Sequence, residues 1–200
     1  MIGRPAASRA EILAKGALAL GALAAGAAWL GGRARPASSA PSVAQDERIL
    51  NFALGLEELQ ATFYARAVDE GTLTGEPLEF AELVGEQENR HVVYLREYLG
   101  PAARPTPVLD LGEVAASEEG FLRAAHTLEE AGVGAYIGQG ANLTVKAVAA
   151  AAPIVSVEAR HAAWIRDLLG LNPAPEAADS AKTADQVRAS LEGVGLPFPA

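Results

Sequence analysis

The 13 residues from Glu88 to Gly100 read ENRHVVYLREYLG, and the stretch from Glu158 to Gly170 reads EARHAAWIRDLLG. These stretches align at a constant offset of 70 residues, and both begin with the pattern Glu-x-x-His. Upstream, LEELQATFY at residues 56–64 matches LEEAGVGAY at residues 128–136, at an offset of 72. Such self-similarity indicates a duplicated structural unit. Each unit is predicted to contain a helix with a glutamate and, seven residues later, a tyrosine, followed by a helix with Glu-x-x-His.

Helix-start and helix-stop signals predict an all-α fold with four main helices. The first runs from about Asp46 to Glu70, the second from about Pro77 to Leu99, the third starts near Ser117, and the fourth ends at Leu169 before Gly170. Pro153 is expected to kink the fourth helix or to mark its true start, because proline lacks a backbone donor. The expected fold is a four-helix bundle: two antiparallel helix pairs joined by one long crossover, the proline-rich residues 101–116.

The chain is predicted to have three parts: a signal peptide at residues 1–44, the bundle at residues 45–171, and a C-terminal tail at residues 172–200 with a short helix near residues 183–191. Two hundred residues suit one domain with a proper core. Half of the residues are hydrophobic, many of them alanine, which favours close-packed helices over sheets.

Composition also excludes several kinds of site. The chain has no cysteine, so disulfides, zinc–thiolate sites and iron–sulfur clusters are excluded. Residues 45–200 carry eleven basic and twenty-four acidic residues, a net charge of −13. Phosphate backbones repel so acidic a body, which argues against nucleic acid as a partner.

The first 44 residues have the three parts of a secretory signal. Arg4, Arg9 and Lys15 precede an uncharged run of residues 16–30, and Ser42-Val43-Ala44 supplies small residues for cleavage after Ala44. An exported protein is expected, in the periplasm, the cell envelope or outside the cell. The alternative is a single membrane anchor, the only predicted contact with a membrane. Residues 8–13, SRAEIL, resemble the twin-arginine export signal, except that Ala10 replaces the second arginine.

Helical phase decides which glutamates point into the core, because successive residues turn by about 100°. Glu88 lies in the middle of the apolar stripe of its helix, with His91 about 60° away, whereas Glu86 points to the opposite side. Glu158 and Glu129 are centred on their own apolar stripes in the same way.

The first helix has a less regular stripe. Glu57 lies at its edge near Tyr64, and Glu58 points away, so Glu57 is the predicted core residue. His161 stands beside Glu158 as His91 stands beside Glu88. The predicted core therefore contains four glutamates and two histidines.

Four carboxylates in an apolar core each cost several kcal/mol unless something compensates their charge. Two divalent cations balance four negative charges, and two neutral imidazoles complete the ligand set. Oxygen donors together with imidazole suit iron or manganese. One helical glutamate plus Glu-x-x-His, present twice, is the ligand pattern of di-iron and di-manganese carboxylate bundles.

The stretches LNFALGLEELQATFY at residues 50–64 and LEEAGVGAY at residues 128–136 resemble the ferritin-like superfamily, specifically its exported bacterial branch, sometimes called desiccation-associated. The resemblance covers roughly residues 46–170. It implies two iron or manganese ions and redox chemistry on Fe(II), O₂ or peroxide under oxidative or desiccation stress, as in ferroxidases, rubrerythrins and manganese catalases. The implied metal ligands are Glu57, Glu88, His91, Glu129, Glu158 and His161.

Other interpretations stay open at this point. One alternative is a non-catalytic structural or binding bundle of the cell envelope without metal, whose buried acids pair with Arg90, with Arg160 or with each other. His126 is expected to lie in the core or beside the ligands rather than to be a ligand. Tyr64 and Tyr136 either donate hydrogen bonds to ligand carboxylates or pack as ordinary aromatic residues. Nothing in the sequence indicates an assembly surface, which disfavours an iron-storage cage, and the oligomeric state is left open.

Overall fold

The computed structural model describes residues 40–198, which contain five α-helices and no strand. The helices are α1 (Val43–Glu70), α2 (Gly75–Leu99), α3 (Glu118–Gly140), α4 (Val145–Leu168) and α5 (Ala184–Glu192). α1 packs along α2, and α3 packs along α4, with fewer contacts between the two pairs. The predicted all-α four-helix bundle is confirmed for this part of the chain. The predicted signal peptide lies almost entirely outside the described residues.

The first helix begins three residues earlier than predicted. Its first residue is Val43 rather than Asp46, because the Ser42 side chain caps the helix by accepting a hydrogen bond from the backbone N–H of Gln45 (3.3 Å). The predicted cleavage point after Ala44 therefore falls within the first turn of α1. The helix ends as predicted at Gly71, which adopts a left-handed conformation (φ 67°, ψ 19°).

The second helix begins two residues earlier than predicted and ends at Leu99, as predicted. It begins at Gly75 rather than Pro77, and Pro77 sits in the first turn, where backbone N–H groups have no partner within the helix. After Leu99, Gly100 has φ 53° and ψ −127°, which differs from the left-handed helical conformation that glycine commonly adopts at the end of a helix. The chain turns there into a short 3₁₀ helix, Gly100–Ala102.

Pro153 lies inside α4, which begins well before it at Val145, so the prediction that Pro153 marks the true start is wrong. The helix continues through this residue because Pro153 and Ala149, whose carbonyl loses its helical donor, both lie on the exposed face. Thr144 caps the start by accepting from the N–H of Ala147.

Two apolar clusters form the core. The larger brings an aromatic ring from each bundle helix together; its aromatic members include Phe63, Tyr64, Phe80, Phe121 and Trp164. The smaller is mostly aliphatic and includes Leu50, Leu54, Leu95, Tyr136 and Ile154. Along α1, Leu54 precedes Glu57 and Phe63 follows it, while α2 runs through the clusters in the opposite order. The buried glutamates therefore occupy a polar layer between the clusters.

The first residues of the crossover between the halves are attached to α1. The Asn51 amide donates to the carbonyl of Ala102 (2.9 Å), and its oxygen accepts from the N–H of Arg104 (2.7 Å). After α4, the tail returns to the bundle through α5, whose Val187 and Leu191 join the larger cluster. Among residues 40–198, none of the helices is both long and apolar enough to cross a membrane.

Candidate metal centre

The six predicted ligand residues meet in the polar layer. All of them are between 0 and 8% exposed. Their ligand atoms form two groups, within each of which every atom lies within 4.8 Å of the others. The first group is Glu57, Glu88, His91 and Glu158, and the second is Glu88, Glu129, Glu158 and His161. The groups share Glu88 and Glu158, so the layer offers two adjoining positions, one on each side of a pair of common carboxylates.

Glu88 reaches the two positions with different oxygen atoms. Its Oε2 lies 3.1 Å from His91 Nδ1, and its Oε1 lies 2.9 Å from His161 Nδ1. The helix produces this arrangement because Glu88 and His91 are three residues apart and share a face. Glu158 turns a single oxygen, Oε1, toward both rings, 3.3 Å from His91 Nδ1 and 3.8 Å from His161 Nδ1.

The orientation of the His161 ring is set by Gln87. The side-chain oxygen of Gln87 lies 2.8 Å from His161 Nε2 and can only accept, so Nε2 carries the proton and donates it. In the neutral ring, Nδ1 then presents its lone pair to Glu88 and Glu129. Holding the far ring nitrogen in this way is how proteins orient a histidine ligand.

Each tyrosine of the repeat donates to the carboxylate of the opposite half. Tyr136 on α3 donates to Glu57 Oε1 on α1 (2.6 Å), and Tyr64 on α1 donates to Glu129 Oε1 on α3. Of the two interpretations of these tyrosines, the structure shows the hydrogen-bonding one. One oxygen of each carboxylate is thereby occupied, and the other, Oε2, faces a histidine.

Gln60 is a further buried polar residue in the layer, which the sequence did not single out. Its Nε2 donates to Glu129 Oε1 and to Glu158 Oε2, both at 3.2 Å. Gln60 comes three residues after Glu57, so helical phase places the two side by side. Its residue type alone, however, does not distinguish a buried glutamine from one on the surface. Gln87 was missed for a similar reason, because the equivalent position in the second half holds Val157 and the repeat gives no signal.

Burial and crowding strongly perturb the titration of the site. Burial, together with the charge of Glu88, raises the pKa of Glu57 to about 8. Burial, together with the charge of Glu57, raises the pKa of Glu158 to about 7. Burial alone would lower the pKa of both histidines, but the surrounding carboxylates outweigh it and raise the pKa of His91 to about 12 and that of His161 to about 10. The layer therefore attracts positive charge strongly.

Several buried polar atoms of the layer lack a hydrogen-bond partner and are better suited to binding a metal ion. Among residues 40–198, no group stands in hydrogen-bonding geometry to Glu88 Oε1, Glu129 Oε2, Glu158 Oε1 or His161 Nδ1. Buried polar atoms without a partner are costly and uncommon. His161 Nδ1 and Glu88 Oε1 are 2.9 Å apart yet lack hydrogen-bond alignment. Two ligands of the same cation have this arrangement, because the lone pairs of both point at the ion rather than at each other. The donor set therefore fits bound metal.

The remaining titratable candidates lie outside the two groups. His126 is half-buried, and its Nε2 lies 3.9 Å from Glu130 Oε1. It belongs to neither of the two groups. Arg90 pairs with Glu86 on the surface, and Arg160 donates to the carbonyl of Ser156 (2.8 Å). Both arginines are thus engaged away from the core glutamates, contrary to one form of the metal-free interpretation.

The second glutamate of each Glu-Glu pair forms an ion pair with the following helix. Glu58 pairs with Arg96, and Glu130 pairs with Arg166 (2.5 Å). Glu58 does point away from the site, as predicted, but it is buried rather than solvated. The repeat carried a signal for these pairs, because both glutamates and both arginines recur at matching positions.

Comparison with known families agrees with this arrangement. The sequence profile of the family described as Ferritin-like domain matches residues 45–171. That segment spans α1 to α4 apart from the first two residues of α1, and it includes all six residues of the two groups. No curated protein matches the chain.

Proposed function

Since the chain belongs to the ferritin-like domain family, we propose that it is a dimetal-carboxylate protein that holds two iron or manganese ions and carries out redox chemistry on Fe(II), O₂ or peroxide. The proposed ligands are Glu57, Glu88, His91, Glu129, Glu158 and His161. The observation that carries this proposal is the pair of four-residue groups that share Glu88 and Glu158.

Charge supports a count of two ions. Four ionised carboxylates bring four negative charges into a layer enclosed by two apolar clusters. Two divalent cations balance that charge and leave both imidazoles neutral, as ligands must be. A single ion would leave two buried negative charges uncompensated, at a cost of several kcal/mol for each.

The residues of the chain prepare this site before anything binds. Tyr64 and Tyr136 hold one oxygen of Glu129 and Glu57, so the other oxygen of each faces inward. Gln87 holds His161 with its Nδ1 toward the carboxylates. Burial keeps bulk water away from the ligands. When bound, iron or manganese would supply the electron transfer that these side chains cannot perform themselves.

The second candidate function is a non-catalytic bundle of the cell envelope that works without metal. One observation favours it: the raised pKa values of His91 and His161 allow both rings to be imidazolium cations. With Glu57 and Glu158 protonated, the layer would then be neutral. The buried atoms without hydrogen-bonding geometry argue against this, because an imidazolium at His161 would donate to Glu88.

Elemental analysis of protein produced in its own host distinguishes the two functions. The dimetal proposal expects close to two iron or manganese ions per chain, and an optical spectrum of the oxidised protein that identifies the metal. A content near zero, in protein purified without chelators, would support the metal-free bundle.

We also propose that the protein is exported and acts under oxidative or desiccation stress. Support for export comes from the basic, apolar and small-residue segments within residues 1–44. Cleavage after Ala44 would make Gln45 the first residue of the mature chain. N-terminal sequencing of the exported protein should return Gln45 or a residue near it. Recovery of Met1 or Ile2 from a membrane fraction would show an uncleaved anchor instead.

A further inference from the structure

One position of the repeat differs in a way that affects the metal centre. The residue three positions after the ligand glutamate is Gln60 in α1 and Gly132 in α3. Gln60 is fully buried, and its amide donates to Glu129 and Glu158, both of the opposite half. An approximate twofold symmetry relates the six ligands, and this glutamine breaks it.

Gly132 provides the space that this arrangement needs. A Cβ atom at Gly132 would collide with Glu158 Oε2 and would lie 3.6 Å from Gln60 Nε2. Any side chain at this position would force Glu158 Oε2 away from Gln60, and glycine itself offers no side-chain donor at the equivalent position in the second half. The amide acts on one side of the layer only.

The carboxylates consequently offer different oxygens to the two positions. Gln60 occupies Glu158 Oε2, so Glu158 turns only Oε1 to the histidines, whereas Glu88 turns both oxygens. Glu129 Oε1 accepts from both Tyr64 and Gln60, while Tyr136 is the donor to Glu57 Oε1. Since the tyrosine already orients each carboxylate, the additional donor on Glu129 mainly withdraws charge and makes it a weaker base.

We propose that Gln60 makes the two metal positions unequal, so that the position beside His91 binds a divalent cation more tightly than the position beside His161. Glu57 belongs only to the first position and Glu129 only to the second, so a weaker Glu129 affects the second alone. The ions then load in order, first beside His91. This inference rests on the proposed dimetal function, and Gln60 acts in it as a positioning residue.

The test is a titration of the metal-free full-length chain with Co²⁺ in the absence of oxygen, followed by calorimetry and by visible absorption of the bound ion. The native chain should bind two ions with dissociation constants that differ about tenfold, the effect of one hydrogen bond to a charged group. Gln60→Met, which keeps the length of the side chain but cannot donate, should bring the two constants within about threefold of each other. Gln60→Leu provides a second variant if the first folds poorly.

Two sets of variants complete the experiment. Thr62→Val, on the exposed face of the same helix, is the matched control and should leave the ratio unchanged. His91→Ala should remove the tighter phase of the titration, and His161→Ala the weaker one. Equal constants in the native chain, or a ratio that both Gln60 variants leave intact, would overturn this inference and leave the proposed function standing. Failure of the native chain to bind Co²⁺ would overturn the proposed function itself.

Discussion

The two halves of the bundle, α1–α2 and α3–α4, carry the same ligands in different surroundings. Tyr64 lies among the aromatic rings of the larger cluster, in edge contact with Phe63, Phe80 and Phe121, whereas Tyr136 lies in the aliphatic cluster. Both tyrosines nevertheless make the same hydrogen bond to the opposite glutamate. Charge compensation therefore fixes the ligands and the tyrosine donor of each half, while the amide partners and the packing around them diverge.

The ion pairs outside the site also differ between the two halves, in the exposure of their glutamates. The Glu58 side chain is 5% exposed, and its partner Arg96 also donates to the carbonyl of Arg104 and to Thr106 in the crossover. The Glu130 side chain is 26% exposed. The first half therefore uses its pair to attach the crossover, and in the second half the glutamate of the equivalent pair lies nearer to solvent.

The largest expected effect comes from Glu88, because it serves both positions. Glu88→Ala removes the residue that gives one oxygen to each group, so metal content should fall from about two ions per chain to near zero. Elemental analysis measures this, with circular dichroism to confirm folding. Glu86→Ala, on the exposed face of the same helix, should retain both ions, and an equal loss in that variant would show that the effect is not local.

Replacing one histidine at a time distinguishes the contributions of the two metal positions. His91→Ala and His161→Ala should each lower the metal content by about one ion, since each ring belongs to one group only. His126→Ala should change nothing, because that ring lies beside Glu130, outside both groups. Equal losses in all three variants would mean that the helical faces have been assigned wrongly.

The ion pairs should contribute unequally to stability. Arg96→Ala leaves the buried Glu58 without a partner and should lower the free energy of unfolding by about 3 kcal/mol. Arg166→Ala leaves a more exposed glutamate and should cost about 1 kcal/mol. Urea denaturation of the metal-free variants measures both values. A larger cost for Arg166→Ala would contradict the comparison of burial.

Among the changes to metal binding, the smallest expected effects are those of the tyrosines. Tyr136→Phe removes the side-chain donor on Glu57 Oε1, so affinity at the position beside His91 should fall about tenfold. Tyr64→Phe leaves Glu129 Oε1 with the Gln60 amide, so the loss beside His161 should stay within about threefold. Co²⁺ titration compares the two. The reverse order would show that Gln60 does not hold Glu129.

The repeat and the helical phase were enough to predict the bundle and to bring six residues to one place. They worked because a glutamate centred on an apolar stripe is costly without compensation, which makes it conspicuous in a sequence. Gln60 was beyond this reasoning, since its role depends on the distance between α1 and the opposite half. Pro153 does not mark the start of α4, and periodicity could not show this because it does not reveal that the freed carbonyl faces water.

The pH dependence of stability shows whether the four buried glutamates form a metal site. The pKa values of Glu57 and Glu158 are raised from 4.5 to about 8 and about 7, so the folded metal-free chain holds more protons than the unfolded chain. Its stability should therefore fall as the pH rises from 5 to 8. His91 and His161 act in the same direction, because the stability that their raised pKa values supply is complete below 6.5 and declines above it.

Bound metal changes this dependence, since it requires deprotonated ligands and binds only the folded chain. The measurement is thermal unfolding between pH 5 and pH 8, with and without Mn²⁺ or anaerobic Fe²⁺. Metal should raise the unfolding temperature, by a margin that grows with pH and is largest at pH 8. Curves that coincide over the whole range would contradict the account and leave the metal-free bundle in its place.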